Sequence, residues 1–219
     1  MIFRRLVALR CYGLIRNYCQ KEKRDDFPPG TLRRGDNGKS CILSGEVFPK
    51  DHEIFQALGT TEELLSFLGI AKEHAREANH QYVDKLKRIQ TVVIEIQTSL
   101  SNYRDDPKKN ITAVHITELE NWMKAYAKEL PPPENYIIPG SGVTSASLHV
   151  ARTVCRKAER YITPFVRKGI LNPSIQMYLN RLSNFLLMLS RIAAKLDKQN
   201  EHIYVPLLAE KQEIQKKKD

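Results

Sequence analysis

Glycine is scarce in this chain, with 10 in 219 residues and none between Ile70 and Pro139. Tight turns with positive φ depend on glycine, so a turn-rich β fold is hard to build across that gap. Long helices suit it better. No run of about 18 apolar residues occurs, which excludes an ordinary membrane-spanning helix. Cysteine is sparse as well: Cys11 and Cys19 lie near the start, and only Cys41 and Cys155 follow. There is no C-x-x-C pair and no Cys/His cluster, so neither a zinc site nor a disulfide framework is expected. Cys155 reads as a small buried hydrophobe. The histidines are His52, His74, His80, His115, His149 and His202, and none stands four residues from another. A helical metal pair is thereby excluded. The G-x-S-x-G nucleophile elbow is missing too.

What is present describes a globular chain. Hydrophobic residues make up 42% and charged residues 27%, enough for a packed core in one or two domains. The net charge of +10 invites a nucleic-acid reading, but its distribution argues against one. Arg4, Arg5, Arg10 and Arg16 crowd the first eighteen residues with no acid among them, and Lys216, Lys217 and Lys218 crowd the end. Ile2, Phe3, Leu6, Val7, Leu9, Leu14 and Ile15 accompany the early arginines. That is the composition of a mitochondrial transit peptide, with Arg16-Asn17-Tyr18 resembling a matrix-protease cleavage pattern. A secretory signal fits less well, because Arg10 and Arg16 interrupt the apolar stretch. Residues 1–25 are therefore read as transit peptide and linker, 26–200 as the body, and 201–219 as a polar tail.

Residues 25–51 read as loop, broken by Pro28, Pro29, Gly30, Gly35, Gly38 and Gly45. Helical periodicity then sets in. A first helix is predicted over 54–79. A second shows Tyr82, Leu86, Ile89, Val93, Ile96 and Leu100 at spacings of four and three, a packed seam. Asp105-Asp106-Pro107 ends it. A third carries Ile116, Leu119, Met123, Tyr126 and Leu130 before Pro131-Pro132-Pro133. The loop Tyr136–Gly142 follows, and Thr144 or Ser145 is expected to cap a fourth helix with Leu148, Ala151, Cys155, Ala158 and Ile162 on its apolar side. Asn172 and Pro173 open a fifth, with Ile175, Leu179, Leu182, Leu186, Leu189, Ala193 and Leu196. The expected class is all-α, a five-helix bundle.

The fourth helix concentrates chemistry. Arg152, Arg156, Glu159, Arg160 and Thr163 fall within about 100° of one another at helical spacing. Guanidinium forks gathered round a carboxylate can grip phosphate oxygens. A solvated salt-bridge ladder is the plainer reading. On the fifth helix Asn180, Asn184 and Arg191 form a polar stripe, and mid-helix asparagines cost helix propensity. The run Arg33-Arg34-Gly35-Asp36-Asn37-Gly38-Lys39-Ser40 ends as a phosphate-binding loop does, but Arg33 stands where that motif needs glycine and no strand precedes it. Backbone N–H groups of such a loop can still bind phosphate. Trp122 and the tyrosines read as core or interface.

Five blocks together resemble the PduO-type ATP:cob(I)alamin adenosyltransferases: RRGDNGKS (33–40), PKDHEIFQALGTTEEL (49–64), YIIPGSG (136–142), LHVARTVCRKAER (148–160) and YLNRLSN (178–184). The similarity covers residues 31–200. It implies a ferritin-like five-helix bundle assembled as a homotrimer in the mitochondrial matrix, with sites between subunits. The implied activity transfers the 5′-deoxyadenosyl group of ATP to cob(I)alamin, with Mg²⁺, and serves methylmalonyl-CoA mutase. By the same resemblance Leu32, Arg33, Arg34, Gly35, Ser40, Cys41 and Lys50 border the nucleotide. Arg156, Lys157, Ala158, Glu159 and Arg160 complete the phosphate site, with Glu159 serving Mg²⁺. Asn180 holds the nucleoside, Arg156, Glu159 and Asn184 are the residues closest to catalysis, and Tyr136 lies beneath the corrin. Glu62 and Arg152 pair across the subunit boundary. Cobalt is itself the nucleophile, which agrees with the missing Ser-His and Cys-His pairs.

This chain departs from the family pattern at several places. Leu32 and Arg34 stand where the loop has threonines, Cys41 where Ser or Thr is common, Tyr136 where Phe is usual, and Glu62 and Asn184 where Asp is expected. They motivate an alternative, a catalytically weak paralogue that carries cobalamin or ATP. A merely structural bundle is the third reading.

Overall fold

The structure, a computed structural model, describes residues 35–102, 113–131 and 136–204. Five helices dominate these residues: α1 (Glu53–Glu77), α2 (Val83–Ser101), α3 (Ala113–Ala127), α4 (Val143–Arg167) and α5 (Pro173–Leu196). The five-helix bundle expected from the periodicity is what forms. Leu32, Arg33, Arg34, the proposed transit peptide and the Asp105–Pro107 stop lie outside the described residues.

Each helix forms for a local reason. The side chain of Asn172 accepts the Ser174 N–H at 2.9 Å, and Pro173 occupies the first helical position of α5. His52 caps α1, its Nδ1 accepting the Ile54 N–H at 3.2 Å. The start of α4 differs from expectation. Its N-cap is Gly142, whose φ of 96° lies in the region that glycine alone enters freely, and Thr144 and Ser145 are buried in the first turn. The loop must reverse sharply there, so backbone freedom outweighs a side-chain cap. Gly169, at φ 73°, ends α4 in the left-handed conformation common after helices.

The principal neighbours run α2–α1–α4–α5–α3 across the bundle. Lys168 pairs with Glu53 at 2.7 Å and Lys157 with Glu63 at 2.9 Å, so α4 runs antiparallel to α1. The seam read from sequence in α2 is real: Leu86, Ile89, Val93, Ile96 and Leu100 are fully buried. In α1, Gly69 leaves room for Gln90 of α2, whose side-chain N–H donates to the Leu65 carbonyl at 3.3 Å.

Two short antiparallel ribbons were not foreseen. In the first, β1 (Lys39–Cys41) pairs with β2 (Val47–Pro49). In the second, β3 (Ile137–Ile138) pairs with β4 (His202–Ile203). Strands of two or three residues leave no alternation to read. The second ribbon carries packed structure past residue 200, where the sequence turns polar. Glu201 accepts from buried Arg191 at 3.1 Å, and the Tyr204 N–H donates to the Tyr136 carbonyl at 2.8 Å. Among the described residues no helix is long and apolar enough to cross a membrane.

Two outcomes follow from this core. Leu186 is fully buried at the centre of α5, so Leu186→Ala is expected to cost about 2–5 kcal/mol in chemical denaturation. Cys155 is fully buried, and desolvation, the largest cause, pushes its thiol well above the usual range, while Cys41 is exposed. Iodoacetamide at pH 8 should therefore modify Cys41 and spare Cys155 until the protein unfolds, as read by peptide mass spectrometry. Equal labelling of both in the native state would contradict the packing of α4.

Candidate functional site

The polar face of α4 forms because its apolar stripe is narrow. Ala151, Cys155, Ala158 and Ile162 face inward and are fully buried, leaving Arg156 and Arg160 exposed beside them. Ala158, grouped with the phosphate-site residues from sequence, therefore brings no side chain to the polar face. The Cys155 thiol donates to the Leu179 carbonyl at 3.3 Å, which sets α4 against α5 at this level. One turn along α4, Glu159 then meets Asn180: the amide Nδ2 donates to Oε1 at 3.2 Å. Thr163 donates its hydroxyl to the Glu159 carbonyl at 2.8 Å. Asn184 lies exposed one turn beyond Asn180.

The ladder reading can be tested on these contacts. Arg156 and Arg160 make no ion pair or hydrogen bond among the described residues. Arg152 Nε is buried and also finds no partner. A self-sufficient salt-bridge ladder would have paired them. Glu62, exposed on α1, makes no ion pair among the described residues, while its neighbour Glu63 takes Lys157. Lys157 therefore leans toward α1, away from the arginines grouped with it by sequence.

Arg191 is a clear correction. From sequence it joined Asn180 and Asn184 on a polar stripe, but only 8% of it is exposed. Its Nη1 donates to the Pro131 carbonyl at 2.9 Å and its Nε to Glu201 at 3.1 Å. It pins the chain segments at one end of the bundle and takes no part in the open cationic face.

A second cluster sits ahead of α1, where the first ribbon folds the glycine loop back on Lys50. The Lys50 N–H donates to the Gly38 carbonyl at 2.8 Å, and the Gly38 N–H to the Gly35 carbonyl at 3.1 Å. The Lys50 ammonium lies over Gly35 so closely that a Cβ there would come within 2.6 Å of Nζ. A side chain at 35 would displace the end of the flexible Lys50 side chain from this position. Ser40 is half-buried and Cys41 exposed on β1. Two of the sequence-derived residues, Gly35 and Lys50, are brought together here, and Glu159 and Asn180 in the first cluster. No hydrogen bond or ion pair joins the clusters among the described residues.

The third place is the far end of the bundle. Tyr136 is 72% exposed, and Ile138, Val143, Ile203 and Tyr204 are exposed around the second ribbon. A buried polar chain fastens this end: His80 Nδ1 lies 2.8 Å from the Tyr82 hydroxyl, and His80 Nε2 lies 2.8 Å from Asp197 Oδ1. The Ser141 hydroxyl donates to the Asn200 carbonyl at 2.8 Å. His149 is buried nearby. Desolvation, then the Arg152 guanidinium, lowers its pKa and favours the neutral ring, with Glu201 pulling the other way. Sequence reasoning missed His80, Asp197 and Glu201, which sit singly in loops or at helix ends with no periodic signal to mark them.

Groups of three or more metal-ligating side chains are absent among the described residues. One carboxylate, Glu159, stands in the cationic face, with Oε1 engaged by Asn180. A magnesium ion commonly uses one or two carboxylates and completes its shell with substrate phosphates and water. The donor set fits that mode and does not fit a preformed protein cage.

Comparisons with known proteins identify the family and the fold. The sequence profile of the cobalamin adenosyltransferase family matches residues 31–193. The corrinoid adenosyltransferase MMAB of Homo sapiens is 38% identical over 185 residues, covering 82% of this chain and 74% of that protein. The corrinoid adenosyltransferase MMAB of Mus musculus is 36% identical over 184 residues, covering 81% and 78%. Among solved structures, a variant of the PduO-type ATP:corrinoid adenosyltransferase from Lactobacillus reuteri, complexed with cobalamin and ATP, superposes with a TM-score of 0.73 at 26% identity. The match covers 80% of this chain and 98% of that one.

Proposed function

This chain belongs to the cobalamin adenosyltransferase family, and we propose that it transfers the 5′-deoxyadenosyl group of ATP to cob(I)alamin, releasing triphosphate. The observation that carries the proposal is the open face of α4, where Arg156 and Arg160 stand unpaired among the described residues beside the Glu159–Asn180 bond.

The reaction is a displacement at carbon. The electron pair of cob(I)alamin attacks C5′ of ATP and a cobalt–carbon bond forms. The C5′–O bond breaks and its electron pair leaves with the triphosphate. Cobalt(I) becomes cobalt(III), and no protein nucleophile is required. Negative charge builds on the leaving oxygen, so pre-placed cations are the main help the protein can give. In this reading Arg156, Arg160 and Lys50 hold the phosphates, with Gly35 and Ser40 offering backbone and hydroxyl groups. Leu32, Arg33 and Arg34 complete that loop. Asn180 holds the nucleoside, and Tyr136 stands beneath the corrin. Magnesium, held by Glu159 and phosphate oxygens, would neutralise further charge. Lys157 keeps its ion pair with Glu63 and contributes only background charge.

The working form is a homotrimer in this proposal. Two observations support it. The Gly35–Lys50 cluster and the α4 face lack a link among the described residues, as expected of a site completed by a neighbouring copy. Arg152 Nε is buried without a partner among the described residues, which costs about 1–3 kcal/mol unless another subunit supplies one. Glu62 of a neighbouring copy is the proposed acceptor. The arginine-rich start directs the protein to the mitochondrial matrix, and methylmalonyl-CoA mutase is the proposed consumer of the adenosylcobalamin. Leu32, Arg34, Tyr136 and Asn184, the positions that depart from the family pattern, are the proposed cause should the chain prove a carrier.

The deciding assay is anaerobic incubation with ATP, Mg²⁺ and chemically reduced cob(I)alamin, followed by absorbance. Arg156→Ala should lower turnover by about a hundredfold or more while helicity by circular dichroism stays unchanged. Normal turnover would remove Arg156 from the site. Binding of ATP or cobalamin without turnover by the unaltered chain would favour the carrier. Arg152→Ala should shift the trimer toward smaller species in analytical ultracentrifugation, and an unchanged trimer would exclude the Glu62 pairing.

A further inference from the structure

Arg181 and Glu120 have no role in the site as drawn so far, yet they are joined to it. Arg181 follows Asn180 on α5. Its Nε donates to Glu120 Oε1 of α3 at 3.1 Å, and its Nη1 donates to Asn180 Oδ1 at 3.3 Å. Asn180 Nδ2 donates onward to Glu159 Oε1 at 3.2 Å. Four side chains on three helices thus form one directed chain, Glu120–Arg181–Asn180–Glu159. All four are partly buried.

The order of that chain fixes its chemistry. A guanidinium only donates, and a carboxylate only accepts. A carboxamide between them has a single orientation that satisfies both neighbours: oxygen toward Arg181, nitrogen toward Glu159. The flipped amide would set its N–H groups against a cation and its oxygen against an anion. Without Arg181 no other described residue would hold Oδ1, and the amide could turn to offer its other edge. Glu120 matters one step further out. By taking Nε it restrains a long flexible side chain, so that Nη1 stays on Asn180.

We propose that Arg181, braced by Glu120, is a positioning residue that locks the Asn180 carboxamide and so presets both the amide edge offered to the nucleotide and the orientation of Glu159. The proposal rests on the reading of Asn180 and Glu159 as nucleotide-site residues. It extends the site to α3, a helix that otherwise provides packing. Its distinctive consequence is that Arg181 acts only through Asn180.

The test is a double-mutant cycle in the full chain, read by ATP affinity in calorimetry and by KM and kcat for ATP in the cob(I)alamin assay. Arg181→Met should weaken ATP binding about tenfold, the scale of a hydrogen bond to a charged group. Added to Asn180→Ala it should weaken binding no further. Glu120→Gln keeps an acceptor oxygen and should stay near the unaltered protein, whereas Glu120→Ala should reproduce part of the Arg181→Met loss. Thermal midpoints measured alongside separate these effects from unfolding, and Arg181→Lys serves if the methionine variant is unstable. It keeps the charge but cannot bridge both partners, so it should also lose affinity. If Arg181→Met leaves ATP binding intact, or its effect multiplies with that of Asn180→Ala, the positioning role is overturned while the site stands. If Asn180→Ala itself leaves ATP binding intact, the reading of the site falls, and this proposal with it.

Discussion

The close approach of α4 to α5 is the constraint on which the rest depends. Small residues make it possible, since Ala151, Cys155 and Ala158 line the buried side of α4. The Cys155 thiol reaches the Leu179 carbonyl, and the register so fixed puts Glu159 opposite Asn180. A larger residue at 155 would push the helices apart and remove that hydrogen bond before it touched any exposed group. Packing and polar geometry are therefore the same problem here. Ridge-and-groove contact sets the spacing, and the spacing decides which side chains can meet.

The electrostatics follow from what this packing leaves over. Arginines at 156 and 160 repel each other at one-turn spacing, an arrangement that is mildly unfavourable in an isolated helix. The one acid between them, Glu159, is engaged by Asn180 rather than by either arginine. This chain does pair cations with acids elsewhere: Lys157 with Glu63, Lys168 with Glu53, Arg181 with Glu120. The contrast makes the unpaired pair informative. Cations without partners among the described residues are what the proposed triphosphate site needs, since their mutual repulsion is relieved by a bound anion.

Helix positions were plain in the sequence because α2 and α5 repeat apolar residues at three and four, and because Asn172-Pro173 is a strong start signal. The cationic face of α4 was readable for the same reason, being fixed by periodicity alone. What escaped depended on contacts between distant segments. Arg191 looked equivalent to Asn180 and Asn184 by helical angle, but the returning segment at Glu201 buries it. Lys157, which the family resemblance grouped with Arg156, is claimed by Glu63 on α1. Thr144 and Ser145 looked like caps, but Gly142 supplies the backbone angle the loop needs. In each case one-dimensional spacing gave the direction of a side chain and tertiary packing chose its partner.

The far end of the bundle shows the same division of labour in a different form. Its exposed aromatic, Tyr136, sits in a loop that has few internal bonds of its own. Its position is borrowed. Tyr204 holds its carbonyl, β4 holds the residues after it, and Asp197 and Gln199 lie beside Gly142. Asp197 is in turn held by His80 from the turn between α1 and α2. The loop is thus clamped by two separate stretches of chain. An aromatic surface placed this way can be exposed and still be fixed. Exposure without fixation would cost a large ligand the entropy of ordering the loop, and the clamp removes that cost in advance.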